Sequence, residues 1–299
     1  MTATPEPPPA WRARGRLLAL DRPRILGILN VTPDSFSDGG LFFPADAALA
    51  RAERLLEEGA DIIDIGGEST RPQGAEPVSA AEERRRVVPV VRELRRRWPE
   101  AWLSVDTVKA EVAAAALGEG ADIINDVAAL RLDDRLGELC ARTGAGVILM
   151  HSRGTVSDMG TYRHAAYGER PVAEILAELR ARVDVALAAG IAPESIAVDP
   201  GIGFAKRGEH SLALLAALPR LAAWGHPVVV GVSRKRFIGE ITGVKTPSER
   251  VMGTVGANVV ALTRGARLFR VHDVRPSREA LDVAWAILRA APDEHEGAR

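Results

Sequence analysis

The sequence is poor in features that would place it in a specialised class. A single cysteine, Cys140, among 299 residues excludes an internal disulfide and a cysteine-cluster metal site. There is no apolar run long enough to span a bilayer, and the N-terminus MTATPEPPPAWRARG lacks the apolar core of a signal peptide. The formal net charge of −1 argues against a nucleic-acid or membrane surface that works by bulk charge. We therefore expect a cytoplasmic enzyme for small molecules that binds neither nucleic acid nor membrane.

Three common catalytic motifs are missing as well. The sequence has no Walker-type Gly-x-x-x-x-Gly-Lys loop and no Gly-x-Gly-x-x-Gly after a first strand, so ATP and NAD are poor candidates. Gly-x-Ser-x-Gly is absent, and Cys140 falls in an apparent helix, so nucleophilic hydrolase chemistry fits badly. His151 could act as a base, but beside Met150 we favour a wall residue of a site.

A regular alternation of short apolar runs and helical segments is present instead. The predicted strands are Ile25–Leu29, Asp61–Ile65, Trp102–Val105, Asp122–Ile124, Gly146–Leu149, Ser195–Val198, Pro227–Val230 and Arg267–Phe269. Eight strands alternating with eight helical segments, without a long linker, favour an α/β fold in which the parallel strands close a (β/α)₈ TIM barrel. An open sheet of about six strands with an extra lobe is the alternative.

The barrel is predicted to be one domain over residues 21–292. Residues 1–20, which contain four prolines, are expected to form a flexible N-terminal arm, and residues 293–299 a C-terminal tail.

A long polar loop follows the first predicted strand. In RILGILNVTPDSFSDGG, residues 24–40, a loop of about ten residues rich in Pro, Asp, Ser and Gly follows Asn30 where a short turn would suffice, and Phe36 is a lone aromatic within it. Loops at the C-terminal strand ends carry the chemistry in parallel α/β folds. We predict an active-site wall and a mobile lid here, with an ordinary surface loop as the alternative.

Polar residues interrupt the strand pattern at one recurring place, the C-terminal end of a strand. They are Asn30, Asp106, Asn125, Asp199, Lys235, Arg270 and His272. Each alone is compatible with a helix cap or turn former, the class to which we assign Asp126 and Asp273. In a barrel, however, all seven converge on one mouth.

The residue types predict two groups of ligand contacts. Carboxylates and an amide, with Lys235 opposite, can bind a flat heterocycle through its guanidine-like edge and its carbonyl. Arg71, Arg270 and His272 form a cationic group suited to phosphate oxygens. Asn30 could complete that group or hold a water on a divalent ion bound with diphosphate.

Eight strings together resemble one family. NVTPDSFSDGG, GGESTRP, SVDT, INDV, LMH, DPGIGF, SRKRFIG and RVHDV occur in the order and approximate spacing of dihydropteroate synthase, over about Ile25 to Leu288. This resemblance implies a barrel, usually a homodimer, that joins a pterin-methyl diphosphate to p-aminobenzoate in folate biosynthesis. It also implies Mg²⁺ and inhibition by sulfonamides.

The resemblance implies roles for particular residues. The pterin pocket would be Asp106, Asn125, Asp199, Lys235, Met150 and Phe204. The diphosphate group would be Asn30, Thr70, Arg71, Arg270 and His272, with Asn30 at the metal. The aminobenzoate contacts would be Phe36, Pro72, Lys235 and Arg236, and the catalytic set Asp34, Arg71, Lys235, Arg270 and His272.

Three departures from the family pattern concern its loops. Arg236 stands where many members have serine, Gln73 is an extra residue in the STRPG loop, and Ala205-Lys206-Arg207 replaces Gly-Lys-Thr. Arg236 and Gln73 keep a pterin-binding paralogue without synthase activity as an alternative. A methyltetrahydrofolate–corrinoid methyltransferase is a second alternative, although the lid and SRKRFIG belong to the synthase pattern.

Overall fold

The structure, a computed structural model, describes residues 10–31, 44–68 and 78–290. The strands in these ranges are β1 (Ala10–Ala13), β2 (Arg16–Ala19), β3 (Arg24–Asn30), β4 (Ile62–Gly66), β5 (Trp102–Asp106), β6 (Ile123–Asp126), β7 (Gly146–Met150), β8 (Ile196–Asp199), β9 (Val229–Val230) and β10 (Leu268–Val271). The helices in the same ranges are α1 (Pro44–Glu57), α2 (Ala80–Arg97), α3 (Ala110–Gly118), α4 (Arg135–Thr143), α5 (Pro171–Ala188), α6 (Gly208–Ala216), α7 (Leu218–Ala222), α8 (Arg236–Thr242), α9 (Val251–Thr263) and α10 (Val274–Arg289).

The strands from β3 to β10 form one parallel sheet that closes on itself. Hydrogen-bonded neighbours run in the order β8-β7-β6-β5-β4-β3-β10-β9. The remaining gap, between β8 and β9, is bridged where Val198 pairs with Val228 and donates its N–H to the Pro227 carbonyl at 2.9 Å. The predicted (β/α)₈ barrel is therefore confirmed, and the alternative of an open six-stranded sheet is wrong.

The predicted strands lie within two residues of the observed ones. Several observed strands run one residue further and include the polar residue at their tip: Asn30 ends β3, Asp106 ends β5 and Asp199 ends β8. The register explains this, because Asn30 pairs with Gly66 and Asp199 with Met150. Sheet pairing therefore fixes the backbone of the polar tips.

Two apolar layers hold the barrel. One lies between strands and helices and contains, among others, Ile25, Leu55, Val87 and Leu179. The second fills the N-terminal end of the barrel interior with Leu26, Ile62, Ile123, Ile148, Ala197, Val229 and Leu268. Because both faces of each strand are covered, the strands read as continuous apolar runs.

The predicted flexible N-terminal arm is wrong for residues 10–19. β1 and β2 form an antiparallel hairpin, with φ of 49° at Arg14 and 78° at Gly15 in its turn, as in a type I′ turn. Trp11 is 1% exposed, packs against the inner core and donates Nε1–H to the Ser195 carbonyl at 3.0 Å. The hairpin covers the N-terminal mouth of the barrel because that apolar surface would otherwise face water.

Residues 1–9, where the four prolines lie, and the predicted tail 293–299 are outside the described residues. In the ranges that are described, no helix is both long and apolar enough to cross a membrane.

Candidate active site

A cavity opens at the C-terminal ends of the strands, opposite the hairpin. It is lined by Ile28, Asn125, Val127, Met150, Asp199, Ile202, Phe204, Gly231, Ser233, Lys235, Arg270 and His272. The empty space at this site, counted together with open solvent at the mouth, is ≈ 430 Å³. The lining contains five of the seven polar strand-end residues that the sequence places at one mouth.

The other two, Asn30 and Asp106, lie beside the cavity at the ends of β3 and β5. Both pair in register with Gly66 of the intervening strand β4. A Cβ at Gly66 would lie 3.7 Å from Asn30 Oδ1 and 3.7 Å from Asp106 Cβ. These two polar groups therefore flank Gly66, and all seven residues share one end of the barrel.

Arg270 joins two carboxylates across this end of the barrel. Its Nε donates to Asp64 Oδ2 at 2.6 Å and its Nη2 to Asp106 Oδ2 at 2.7 Å. When both carboxylates are ionised, they and the guanidinium together carry a net charge of −1. The group can therefore accept hydrogen bonds from a ligand edge that is rich in N–H donors.

Asp64 is the residue of this group that the sequence reasoning missed. It is fully buried in the middle of β4, and besides Arg270 it accepts from Ser104 Oγ at 2.6 Å and Asn125 Nδ2 at 3.3 Å. Its signal in the sequence is a carboxylate inside the otherwise apolar run Ile62–Ile65. A charged residue there needs buried partners.

Burial changes the protonation of the carboxylate at the end of β5. It raises the pKa of Asp106 to about 7, against the lowering effect of Arg270 and with a further rise from the charge of Asp64. A ligand N–H donated to Asp106 would favour its ionised form and reverse part of this rise.

Asp199 and Lys235 form the opposite side of the cavity. Asp199 Oδ1 accepts the Gly201 N–H at 2.7 Å, and burial raises the pKa of Asp199 while Lys235 opposes the rise. Burial also lowers the pKa of Lys235 to about 7, an effect that the charge of Asp199 opposes. Lys235 Nζ lies 3.7 Å from the centre of the Phe204 ring, so an aromatic face meets this group and attracts it when it is protonated.

The apolar part of the cavity belongs to a small cluster at this end of the barrel. Met150 packs with Val108, Val127 and Met159, and Phe204 lies against them. Two predicted pterin contacts, Met150 and Phe204, thus line one cavity with three polar ones, Asn125, Asp199 and Lys235.

His272 is oriented by Ser233, which the sequence reasoning did not single out. Ser233 Oγ accepts the backbone N–H of His272 at 3.1 Å and lies 3.0 Å from His272 Nδ1. The same hydroxyl can hold the ring in either tautomer, by donating its proton to Nδ1 or by accepting one from it.

Arg236 lies at the rim and not in the cavity lining. It is exposed, and its guanidinium stacks 3.8 Å from the centre of the Tyr162 ring. Tyr162 is fixed in turn, since its hydroxyl donates to Glu240 Oε1 at 2.9 Å. Arg236 is therefore held beside Lys235 by an aromatic contact.

Three expectations concern residues outside the cavity lining. The prediction that His151 is a wall residue is wrong, because its side chain is 3% exposed, lies outside the lining and is bonded to Glu178 at 3.0 Å. Asp126 is a turn former, as predicted, and accepts the Ala128 and Leu130 N–H groups. Asp273 is the N-cap residue of α10, as predicted, but its side chain makes no capping hydrogen bond and pairs with Arg234 at 2.6 Å.

Five predicted site residues lie outside the described residues. They are Asp34, Phe36, Thr70, Arg71 and Pro72. The extra residue Gln73 falls in the same range.

The protein groups at the mouth fit a divalent ion that is held mainly by the phosphates of a bound ligand. Among residues 10–31, 44–68 and 78–290, no three His, Cys, Asp or Glu side chains form a metal-binding group. Mg²⁺ commonly uses few protein ligands together with substrate phosphates and water. The amide oxygen of Asn30, at the mouth beside Gly66, is a suitable protein donor for such a shared site.

Comparison with known proteins places this geometry among pterin enzymes. A family model described as pterin binding enzyme matches residues 26–272. The dihydropteroate synthase of Neisseria meningitidis serogroup C is 45% identical over 284 residues, which cover 93% of this chain and 97% of that protein.

The comparison with solved structures gives the same family. The Xanthomonas albilineans dihydropteroate synthase with 4-aminobenzoic acid superposes with a TM-score of 0.87 at 47% identity, covering 95% of this chain and 100% of that one. The same enzyme in complex with 7,8-dihydropteroate gives a TM-score of 0.84 at 45% identity, with the same coverage.

Proposed function

The chain belongs to the dihydropteroate synthases of the pterin-binding enzyme family, and from this premise we propose how its residues share the reaction. The enzyme condenses 6-hydroxymethyl-7,8-dihydropterin diphosphate with p-aminobenzoate to give 7,8-dihydropteroate and diphosphate. The observation that carries the residue assignment is one cavity in which Asn125, Asp199, Lys235 and Arg270 surround an apolar wall.

The pterin is proposed to bind in this cavity. Asp199 would accept from the guanidine-like edge of the ring, and Lys235 would donate to its carbonyl or a ring nitrogen. Asn125 and Asp106, both tied to the Arg270 group, would contact the remaining polar atoms, and Met150 and Phe204 would cover the ring faces. The support is that these polar groups lie around an apolar slot.

The diphosphate is proposed to lie at the mouth between Asn30, Arg270 and His272, with Thr70 and Arg71 from the β4–α2 loop. Two nitrogens of Arg270 are engaged by Asp64 and Asp106, so Nη1 is its nitrogen for a phosphate oxygen. Mg²⁺, held by Asn30 and the diphosphate, would neutralise charge on the leaving group when bound.

The aminobenzoate is proposed to bind at the rim beside the α8 N-terminus. Arg236 and Lys235 would meet its carboxylate, and Phe36 and Pro72 would pack on its ring. The stack on Tyr162 supports this, because it holds the Arg236 guanidinium in place before the anion arrives.

The chemistry is proposed to begin with departure of diphosphate toward the cations of the mouth, leaving a positive methylene that the electron-rich pterin stabilises. The lid around Asp34 would exclude water from this cation. The arylamine is neutral at pH 7, so attack needs no strong base. The protein's contribution is then placement of charge around developing anionic oxygens.

We propose that the chain is a homodimer. Met252 and Val260 of α9 and Val283 and Ile287 of α10 are exposed, and these two helices pack side by side. Exposed apolar side chains on two neighbouring helices suit a self-complementary interface. Light scattering of the wild-type chain and of Ile287→Lys tests it, with a monomer expected for the variant.

A cytoplasmic location is also proposed, and cell fractionation tests it.

Turnover tests the function. Purified protein with Mg²⁺ and both substrates should form 7,8-dihydropteroate, detected by chromatography, and chelation of Mg²⁺ should abolish it. Tight pterin binding without product would instead identify a pterin-binding paralogue.

A further inference from the structure

Behind the cavity, outside its lining, lies a buried lysine that the assignments above do not use. Lys206 follows Ala205 in the loop after β8 and is 1% exposed. Its Nζ has three acceptors: His151 Nδ1 at 2.8 Å, the His151 carbonyl at 3.2 Å and the Phe204 carbonyl at 2.9 Å. It therefore bonds the end of β7 to the loop that carries Phe204.

The acceptors fix where the protons are. Burial lowers the pKa of His151 to about 4, with the charge of Lys206 adding to this effect, so the imidazole is neutral. Its Nε2 lies 3.0 Å from the Glu178 carboxylate and must carry the proton, which leaves Nδ1 as an acceptor. Three acceptors around Nζ need three N–H groups, and only the ammonium form of Lys206 has them. Burial lowers the pKa of Lys206, and this geometry opposes the loss of its proton.

The Lys206 ammonium is also linked to Asp199, the carboxylate assigned to the pterin, by way of Gly201. A Cβ built on Gly201 would be 3.2 Å from Lys206 Nζ and 1.9 Å from the His151 carbonyl oxygen, so the backbones touch here. The N–H of the same glycine donates to Asp199 Oδ1 at 2.7 Å. Lys206 and the Asp199 carboxylate thus lie on two sides of one residue.

We propose that Lys206 is a positioning residue for the pterin pocket: its buried ammonium holds the β7 and β8 loops together and keeps the Asp199 carboxylate ionised. This inference rests on the proposed function, which assigns Asp199 to the pterin. Lys206 itself touches no substrate.

The charges around the pair come from several elements. The cations that act on Asp199 are Lys235, Lys206 and Arg270. The charged and titratable groups around Lys206 are Asp199, Lys235, Glu178, Arg153 and His151. Burial raises the pKa of Asp199 and these cations lower it, so removing the charge of Lys206 raises it further.

Calorimetric titration with 6-hydroxymethyl-7,8-dihydropterin diphosphate, without aminobenzoate, from pH 5 to 8 tests the proposal. Lys206→Met and Lys206→Gln remove the charge, and the second keeps two N–H donors. Lys206→Arg keeps the charge, and Lys245→Met is a control at an exposed lysine. Comparison with wild type at each pH cancels the titration of the ligand itself.

Pterin affinity is expected to fall as the pH decreases, and this part of the affinity–pH curve is its acid limb. In the two neutral variants the acid limb should lie about one pH unit higher than in wild type, because the pKa of Asp199 is higher. At the lowest pH these variants should therefore lose about tenfold more affinity than wild type. Lys206→Arg and Lys245→Met should keep the wild-type limb. An unchanged limb in the neutral variants, even with weaker binding, would show a purely structural role and overturn the proposal. Asp199→Asn separates the two ideas: if it binds pterin normally, the proposed pocket itself is wrong.

The wild-type enzyme supplies a second test that needs no variant. The sequence has only four lysines, Lys109, Lys206, Lys235 and Lys245, so ¹⁵N-lysine labelling resolves each Nζ by NMR. Lys206 should show the shift of an ammonium at pH 7. The shift of a neutral amine would contradict the proposal.

Discussion

Replacing Asp64 tests whether the buried carboxylate organises the pterin side of the site. Asp64 accepts three hydrogen bonds, from Ser104, Asn125 and Arg270. Asp64→Ala leaves these donors without that partner, although Arg270 keeps its bond to Asp106. Breaking a buried ion pair from one side costs about 3–5 kcal/mol, and with one carboxylate left we expect a loss of about 3 kcal/mol in the free energy of unfolding.

Asp64→Asn separates the charge from the shape. The amide oxygen can still accept from Arg270 and Asn125, and Ser104 can turn its hydroxyl to accept from the new NH₂ group. Only the charge assistance is lost, so we expect a loss of about 1.5 kcal/mol. Both variants should bind pterin diphosphate at least about tenfold more weakly, or about 1.4 kcal/mol, because Arg270 and Asn125 lose a shared anchor.

Urea denaturation and calorimetric titration measure these two quantities. Asp184→Asn on the outer face of α5, where the carboxylate is largely exposed, is the matched control and should change neither. A change of about 1 kcal/mol in the free energy of unfolding is modest for a point mutation. If Asp64→Ala changed it by no more than this and bound pterin normally, the organising role of Asp64 would be refuted.

Three further predictions concern the hairpin, a buried histidine and the mouth. Trp11→Ala should lower the free energy of unfolding by about 3–5 kcal/mol, since it removes a buried indole, while both KM values stay unchanged in steady-state assays. For His151, the folded pKa of about 4 lies below the unfolded value near 6.5, so stability present above pH 6.5 is lost as pH falls toward 4. The expected loss in the free energy of unfolding is of the order of 3 kcal/mol. Because His151→Gln removes the titrating group, it should flatten this part of the curve of stability against pH, and an unchanged slope would contradict the prediction. Arg270→Ala should lower kcat more than about tenfold, or about 1.4 kcal/mol of barrier, in the turnover assay, and a smaller effect would remove Arg270 from the catalytic set.

The barrel and the mouth were predictable because strand ends are visible in a sequence. Apolar runs stop at Asn30, Asp106 and Asp199, and parallel topology brings such ends together without any knowledge of the long-range contacts. Asp64 was missed for the complementary reason. It lies inside a strand, where its function depends on which strands are neighbours and on the reach of Arg270 from β10.

Two other failures have physical causes that the sequence does not display. The prolines before residue 10 suggested a flexible arm. Trp11 instead stabilises the hairpin by packing against an apolar barrel end, and that surface exists only after the barrel has folded. Lys206 was noted only as part of Ala205-Lys206-Arg207, and nothing in the sequence marks it as buried. Its burial follows from the contact of Gly201 with the His151 carbonyl, a backbone approach between two loops about fifty residues apart in the chain.

A crystal structure of this chain with 6-hydroxymethyl-7,8-dihydropterin diphosphate bound tests the proposed site most directly. We predict the ring between Met150 and Phe204, its guanidine-like edge on Asp199, and the diphosphate at the mouth beside Asn30 and His272. A pterin bound elsewhere, or one whose donor edge meets neither Asp199 nor the Asp64–Arg270–Asp106 group, would contradict it.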